Sequence, residues 1–320
     1  MRVLIVGIAG FAGRYLAREL EALGHEVWGT VRSAPPAAPR FERWPTVRCD
    51  VTDPTTIGEA LERVEPDGIV LLAGLSFAPE ANRDPAAAYR VHALGTAHLL
   101  GEVARCNSKI RVVVVTSGQI YGAAAENEMP LGEASALHPT SAYATSKAAA
   151  DAIAAAWSTS YGGSIVRVRP FNHTGPGQRP EFVCPDFARQ VARVARGLSE
   201  PVIEVGNIDV VRDFSDIRDI VRGYAAALVH GRSGEVYNLC SGVGTSVRDV
   251  LTSLCDLAQI RPEIRVNVDR QRKAESRVFL GSPRKAEVEL GWRPEIPLRK
   301  TLADLLEAAL EHEGLPDPGV

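Results

Sequence analysis

Residues 2–13, "RVLIVGIAGFAG", decide the fold. Residues 3–6 are apolar without polar alternation and run straight into Gly7, Gly10 and Gly13, after which "RYLARELEALG" continues with helical spacing. A strand covered on both faces, a tight glycine turn and a helix form the first unit of a parallel, doubly wound sheet. The glycines also carry chemistry. They let the backbone turn sharply and approach a pyrophosphate, whose charge is met by the N–H groups that open the helix. Gly7, Gly10, Phe11, Ala12 and Gly13 are therefore the first candidate cofactor-binding residues. A glycine trio alone is weak evidence; its place in a strand–turn–helix–strand unit gives it meaning.

The same alternation continues outward through "HEVWGTV", "VRCDV", "TIGEALERV", "GIVLLAG", a long Ala/His/Leu helix near residues 85–106, and "IRVVVVTSG". Another helix, "SAYATSKAAADAIAAAWSTSYG", and another strand, "SIVRVRP", follow. This order predicts an α/β protein, a Rossmann-type doubly wound parallel sheet with right-handed helical crossovers. Beyond Pro170, Pro and Gly become frequent and basic residues cluster. The expected organisation is a Rossmann domain over residues 1–170, with 214–240 returning to its sheet. Residues 171–213 and 241–320 then form a smaller α+β substrate-binding domain.

The 320 residues are 45% hydrophobic with a formal net charge of −3, a globular composition with no global field for polyanions. Nucleic acid is excluded as the default partner. The five cysteines are scattered and never form C-x-x-C, so neither a disulfide framework nor a zinc or other metal site is expected. No apolar run is long enough for a membrane span, and the glycine-interrupted N-terminus lacks a signal cleavage site, so a cytoplasmic protein is expected. The stretch "SAPPAAPR", residues 33–40, reads as an exposed loop.

At the close of the second strand, an NAD-preferring site carries an acid for the ribose 2′-hydroxyl. Here the strand closes as "GTVRS", and Arg32 stands where a guanidinium would clamp a 2′-phosphate. NADPH is the expected cofactor, with NADH also possible. Asp50 and Val51, in "CDVTD", are placed to meet the adenine.

Three positions suggest catalysis: Ser117 in "TSGQIYG", and Tyr143 with Lys147 in "YATSK". A spacing of four stacks Tyr143 and Lys147 on one helix face, following a strand that ends near Ser117. A phenol with a pKa of about 10 exchanges protons poorly at neutral pH, and a neighbouring ammonium would favour its phenolate. The expectation is that Lys147 lowers Tyr143 and reaches the cofactor ribose, that Tyr143 exchanges the proton and also contacts the cofactor, and that Ser117 bonds the reacting oxygen.

At these residues the chain resembles the extended short-chain dehydrogenase/reductases, through "GIAGFAG", "CDVTD", "LLAG", "TSGQIYG", "YATSK", "VRDFSDIRD" and "LGWRPEIPL". Within that group, "RPFNHTGPGQ", "FVCPDFARQ" and "VGNIDVVRDFSDIRDIV" are most similar to the GDP-6-deoxy-D-mannose reductases. The resemblance implies reduction of the C4 ketone of GDP-4-dehydro-6-deoxy-D-mannose to GDP-D-rhamnose. It adds Leu72 and Ala73 to the cofactor site. It also implies substrate contacts from Ser117, Gly118, Asn172, Arg212, Arg272 and Glu275, and a homodimer built on the helices near 85–106 and 141–161. Three departures stand out. Gly118 and Gln119 occupy positions that are acidic in the sugar-nucleotide dehydratases, which disfavours elimination of water. His92 replaces a common Asn, and Lys273 and Ala274 replace Pro and Ser. A different nucleotide-sugar 4-reductase, a 4-epimerase, and a non-catalytic NAD(P) sensor remain open on this reading, as does the role of His173.

Overall fold

The computed structural model describes residues 1–33, 43–107, 109–270 and 276–312. The first half follows the alternation: β1 (Arg2–Val6), α1 (Phe11–Ala22), β2 (Glu26–Val31), β3 (Thr46–Arg48), α2 (Pro54–Val64), β4 (Gly68–Leu71), α3 (Ala78–Arg83), α4 (Pro85–Tyr89), α5 (Gly95–Cys106), β5 (Arg111–Val115), α6 (Ala142–Tyr161) and β6 (Ile165–Pro170). There follow β7 (Asn172–Thr174), α7 (Val183–Ala195), β8 (Val202–Val205), β9 (Val211–Asp216), α8 (Ile217–His230), β10 (Val236–Leu239), β11 (Gly244–Ser246), α9 (Val247–Leu257), β12 (Glu263–Val266), β13 (Val278–Phe279), α10 (Arg284–Leu290) and α11 (Leu298–His312).

The main sheet is parallel, in the order β10-β6-β5-β4-β1-β2-β3. It reverses direction at β1 and β4, and ligands of open α/β sheets bind in that crevice, beyond the carboxyl ends of the strands. One face is covered by α1, α8 and α10 and the other by α2, α5 and α6, which explains the unbroken apolar runs of β1, β4 and β5. Residues 217–239 return to this sheet as α8 and β10.

A second sheet, β11-β9-β13 with β7 paired to β9, lies beyond β6, and a third core joins α7, α9 and α11 with β8 and β9. "RPFNHTGPGQ" is thus more than a strand ending in a turn, since Asn172, His173 and Thr174 pair in parallel with Phe214, Ser215 and Asp216. The turn after β7 is closed by Gln178, which accepts from Thr174 Oγ1 and donates to the His173 carbonyl.

The predicted single helix over 85–106 is interrupted. A π turn, Arg90–Leu94, separates α4 from α5 and turns His92 inward, where it is buried. Thr96 Oγ1 donates 2.6 Å to the His92 carbonyl in the turn. Among the described residues no helix is long and apolar enough to cross a membrane. Except for Ser33, the predicted Pro-rich loop lies outside them, as do Arg272 and Glu275.

Candidate active site

The glycine turn is built to tolerances that only two of its glycines need for the fold itself. Gly7 has φ +100°, and a Cβ there would lie 2.9 Å from Ala73 N. At Gly13 a Cβ would meet the Ile8 carbonyl at 2.5 Å, so the turn after β1 and the helix touch backbone to backbone. Gly10 differs: φ is −68° and a Cβ would sit at ordinary contact distance, so nothing in the protein requires glycine there. The helix that follows has no side-chain cap and no acid in its first turn, leaving the amides of Phe11, Ala12 and Gly13 open to an anion. This arrangement fits a dinucleotide pyrophosphate.

The rest of the predicted cofactor site falls along the same edge. Leu72 and Ala73 continue β4, their amides donating to the Val6 carbonyl at 3.0 and 2.8 Å. Arg32 is exposed just past β2. The Asp50 carboxyl accepts from Thr52 N and Oγ1 and is held low by those bonds, with Arg32 and Arg48 adding to the effect. Val51 is buried against Gly95, and its carbonyl takes a bond from His98 Nδ1. The ring of Phe11 stacks on His173 with the planes 2° apart, and Tyr15 OH donates 2.7 Å to the Pro176 carbonyl. The turn after β7 is thereby tied to the helix that opens the cofactor site. His173 Nδ1 donates to the Phe171 carbonyl, which assigns the ring to this tie.

Ser117, Tyr143 and Lys147 are all buried. Ser117 Oγ accepts the Gln119 amide at 3.1 Å, leaving its hydrogen to reach the Tyr143 phenol. The turn carrying Tyr143 is fixed twice, by Ser141 Oγ accepting from Ala144 N and by Asn82 Oδ1 accepting from Tyr143 N. The expected lowering of Tyr143 by Lys147 is not what the arrangement produces. Burial raises the phenol, with Ser117 pulling it partly back, because the ammonium turns away to donate 3.1 Å to the Val115 carbonyl. Desolvation lowers Lys147 itself to about 8.

Four residues further along the same helix, Asp151 accepts two bonds from Arg169 and one from Arg167. Burial pushes the carboxyl up, but the guanidinium groups overcome it and hold it below its ordinary value. Arg169 also donates 3.0 Å to Tyr121 OH, which donates in turn to Asn238 Oδ1. This buried network pins α6 to β6 and β10; removing one charge alone costs about 3–5 kcal/mol. None of these residues was picked out from the sequence as part of the site, although Asp151 continues the i, i+4 series begun by Tyr143 and Lys147.

The neighbouring cleft is lined by Gln119, Ser141, Asn172, Arg212 and Phe279. Asn172 and Arg212 thus line the same cleft, and Arg212 Nη1 bonds the Val211 carbonyl at 2.8 Å. Gly118 is not in the lining. It lies against Phe171, whose ring would be 2.8 Å from a Cβ there, so its role is to let that ring pack. Sequence reasoning missed Ser141 and Phe279; Ser141 is recognisable as the N-cap two residues before Tyr143.

A parallel sheet with a glycine cradle at its switch point, joined to a buried Ser–Tyr–Lys cluster, defines an NAD(P)-dependent oxidoreductase. The sequence matches the family model for GDP-mannose 4,6 dehydratase over residues 4–305, and the chain belongs to that family. It is 36% identical to GDP-6-deoxy-D-mannose reductase of Pseudomonas aeruginosa, covering 95% of this chain and 96% of that one. It is 30% identical to GDP-6-deoxy-D-talose 4-dehydrogenase of Aggregatibacter actinomycetemcomitans, covering 91% and 92%. The structure of RMD from Pseudomonas aeruginosa complexed with NADPH superposes with a TM-score of 0.85 at 35% identity, over 97% and 99% of the two chains.

Proposed function

We propose that this enzyme reduces the C4 ketone of GDP-4-dehydro-6-deoxy-D-mannose to GDP-D-rhamnose, with NADPH preferred and NADH accepted. The observation that carries the reading is the joining of a buried Ser117–Tyr143–Lys147 cluster to a cleft whose wall bears the neutral Gln119. Neither Gln119 nor Gly118 can move a proton, so elimination of water has no acid or base there and carbonyl reduction remains. The identities to a GDP-6-deoxysugar reductase and a GDP-6-deoxysugar 4-dehydrogenase support the same substrate class.

Gly7, Gly10 and Gly13 with the opening amides of α1 would hold the pyrophosphate, and Arg32 the 2′-phosphate. NADPH, when bound, supplies the hydride. Ser117 orients the carbonyl through its hydroxyl hydrogen. The raised Tyr143 phenol stays protonated at neutral pH and gives its proton to the forming alkoxide. Lys147, lowered to about 8 yet still mostly an ammonium at pH 7, would reach the cofactor ribose from its place on the Val115 carbonyl. Asn172 holds the sugar, and Arg212 faces the diphosphate. Arg272 and Glu275 are assigned to the GDP by resemblance alone.

We also propose a homodimer through α4, the π turn after it, α5 and α6, which leave Tyr89, Leu94 and Tyr161 exposed, and a cytoplasmic setting, suited to cysteines that are all free thiols. The deciding assay follows NADPH absorbance with GDP-4-dehydro-6-deoxy-D-mannose and identifies the product by NMR. GDP-D-rhamnose is expected. The C4 epimer would reassign the stereochemistry, whereas tightly retained NAD without net oxidation would make the protein an epimerase.

A further inference from the structure

The His92 imidazole is inside the site yet has no part in the steps above. Leu75 N donates 3.0 Å to its Nε2, and its Nδ1 lies 2.8 Å from Ser146 Oγ. Ser146 Oγ donates 2.9 Å to the Tyr143 carbonyl. The direction of this chain is forced. A backbone amide can only donate, so Nε2 must carry the lone pair and Nδ1 the proton. The single Ser146 hydrogen is used on Tyr143, so Ser146 must accept from Nδ1. The ring also meets the Tyr143 ring edge to face, with centroids 5.7 Å apart.

From these contacts we infer that His92, acting through Ser146, is a positioning residue that locks the Tyr143 turn of α6 to residues 74–75 on the cofactor side of the cleft. The inference rests on the reductase reading for its kinetics but not for its geometry. A second proton on the ring would face the Leu75 N–H, donor against donor. The titratable groups facing the ring are Tyr143 and Lys147 of α6, whereas residues 74–75 present backbone and Thr96 bonds the His92 carbonyl. The Lys147 ammonium also opposes a charge on the ring, and burial does so more strongly. His92 therefore holds the acid in place without passing a proton.

The experiment pairs His92→Asn with Ser146→Ala. The Asn amide takes the place of Nδ1 and can donate to Ser146 but is too short to accept from Leu75 N, and the alanine removes only the middle oxygen. Each variant is expected to lose roughly 10- to 100-fold in kcat, the cost of a small misplacement at the reacting centre. KM should change little, the double variant should be no worse than the poorer single one, and the limbs of the kcat–pH profile should stay where they are. Nitrogen-15 NMR of the full-length protein should report an Nδ1-protonated neutral ring at residue 92 from about pH 5 to 9. The Nδ1 signal should shift in Ser146→Ala. Unchanged kcat in both variants, a pH limb that vanishes with His92, a titrating ring, or an unmoved Nδ1 signal would each overturn the inference. Absence of any wild-type turnover would sink the reductase reading, and the NMR outcome would still decide the hydrogen-bond chain.

Discussion

The two ends of the cleft are made of different materials. At the proposed cofactor end the contacts are backbone: Gly13 abuts the Ile8 carbonyl, Gly7 abuts Ala73, and the opening amides of α1 have no side-chain cap. At the proposed sugar end they are side chains, Gln119, Asn172 and Arg212, mounted on separate loops and strands. Backbone sites tolerate almost no added atoms but read no substrate detail, whereas side-chain sites can be retuned singly. Specificity among the GDP-6-deoxysugar enzymes should therefore reside at the second end and cofactor capture at the first.

The largest effect is expected where the two ends meet. Tyr143→Phe removes the proton donor and should lower kcat by about 10²–10⁴-fold while leaving NADPH titration unchanged; a smaller loss would mean that another group supplies the proton. At the proposed cofactor end, Gly13→Ala should weaken NADPH roughly 10- to 100-fold and lower the melting temperature, because its Cβ drives the glycine turn and helix apart. Gly10→Ala should weaken NADPH without the melting change. Equal melting losses in the two would break the distinction drawn between a fold glycine and a ligand glycine.

At the sugar end, Asn172→Ala should raise the sugar-nucleotide KM about tenfold, the worth of one good hydrogen bond, and spare NADPH affinity. A loss of NADPH affinity instead would place this residue at the other end. A smaller change is expected from Arg32→Ala, about fivefold in the NADPH-to-NADH ratio, since an exposed guanidinium is screened by water and salt. An unchanged ratio would return Arg32 to the solvent.

The same contrast explains what could be read from the sequence. The glycine cradle and the parallel order were legible because residues 3–13 and the later apolar runs carry their periodicity locally. The pairing of β7 with β9 was not, since a three-residue strand whose partner lies 42 positions away (Asn172 with Phe214) contains no local pattern. The spacing of Tyr143 and Lys147 gave the shared face but not the direction of the ammonium, which the Val115 carbonyl sets from a different strand. The Asp151–Arg169–Tyr121–Asn238 network escaped for the same reason: each member looks ordinary until α6, β6 and β10 bring them together.

The smallest predicted effect tests the link between the two ends, because His92 spans them. Burial, with the Lys147 charge adding to it, lowers His92 to about 2, against an ordinary 6.5. The unfolded chain therefore takes up a proton below pH 6.5 that the native protein refuses. Its folded pKa is depressed, so stability is intact above the unfolded value and drains as pH falls, with a limiting slope of about 1.4 kcal/mol per pH unit. The carboxylates add their own slope near pH 4.5 and below, so the informative window is about pH 6.5 to 4.5. Denaturant unfolding at several pH values should give a shallower acid loss for His92→Asn than for wild type in that window, even though the variant starts less stable at pH 7. Parallel curves would mean that the ring accepts its proton in the native state, and the backbone amide of Leu75 would then have to have let it go.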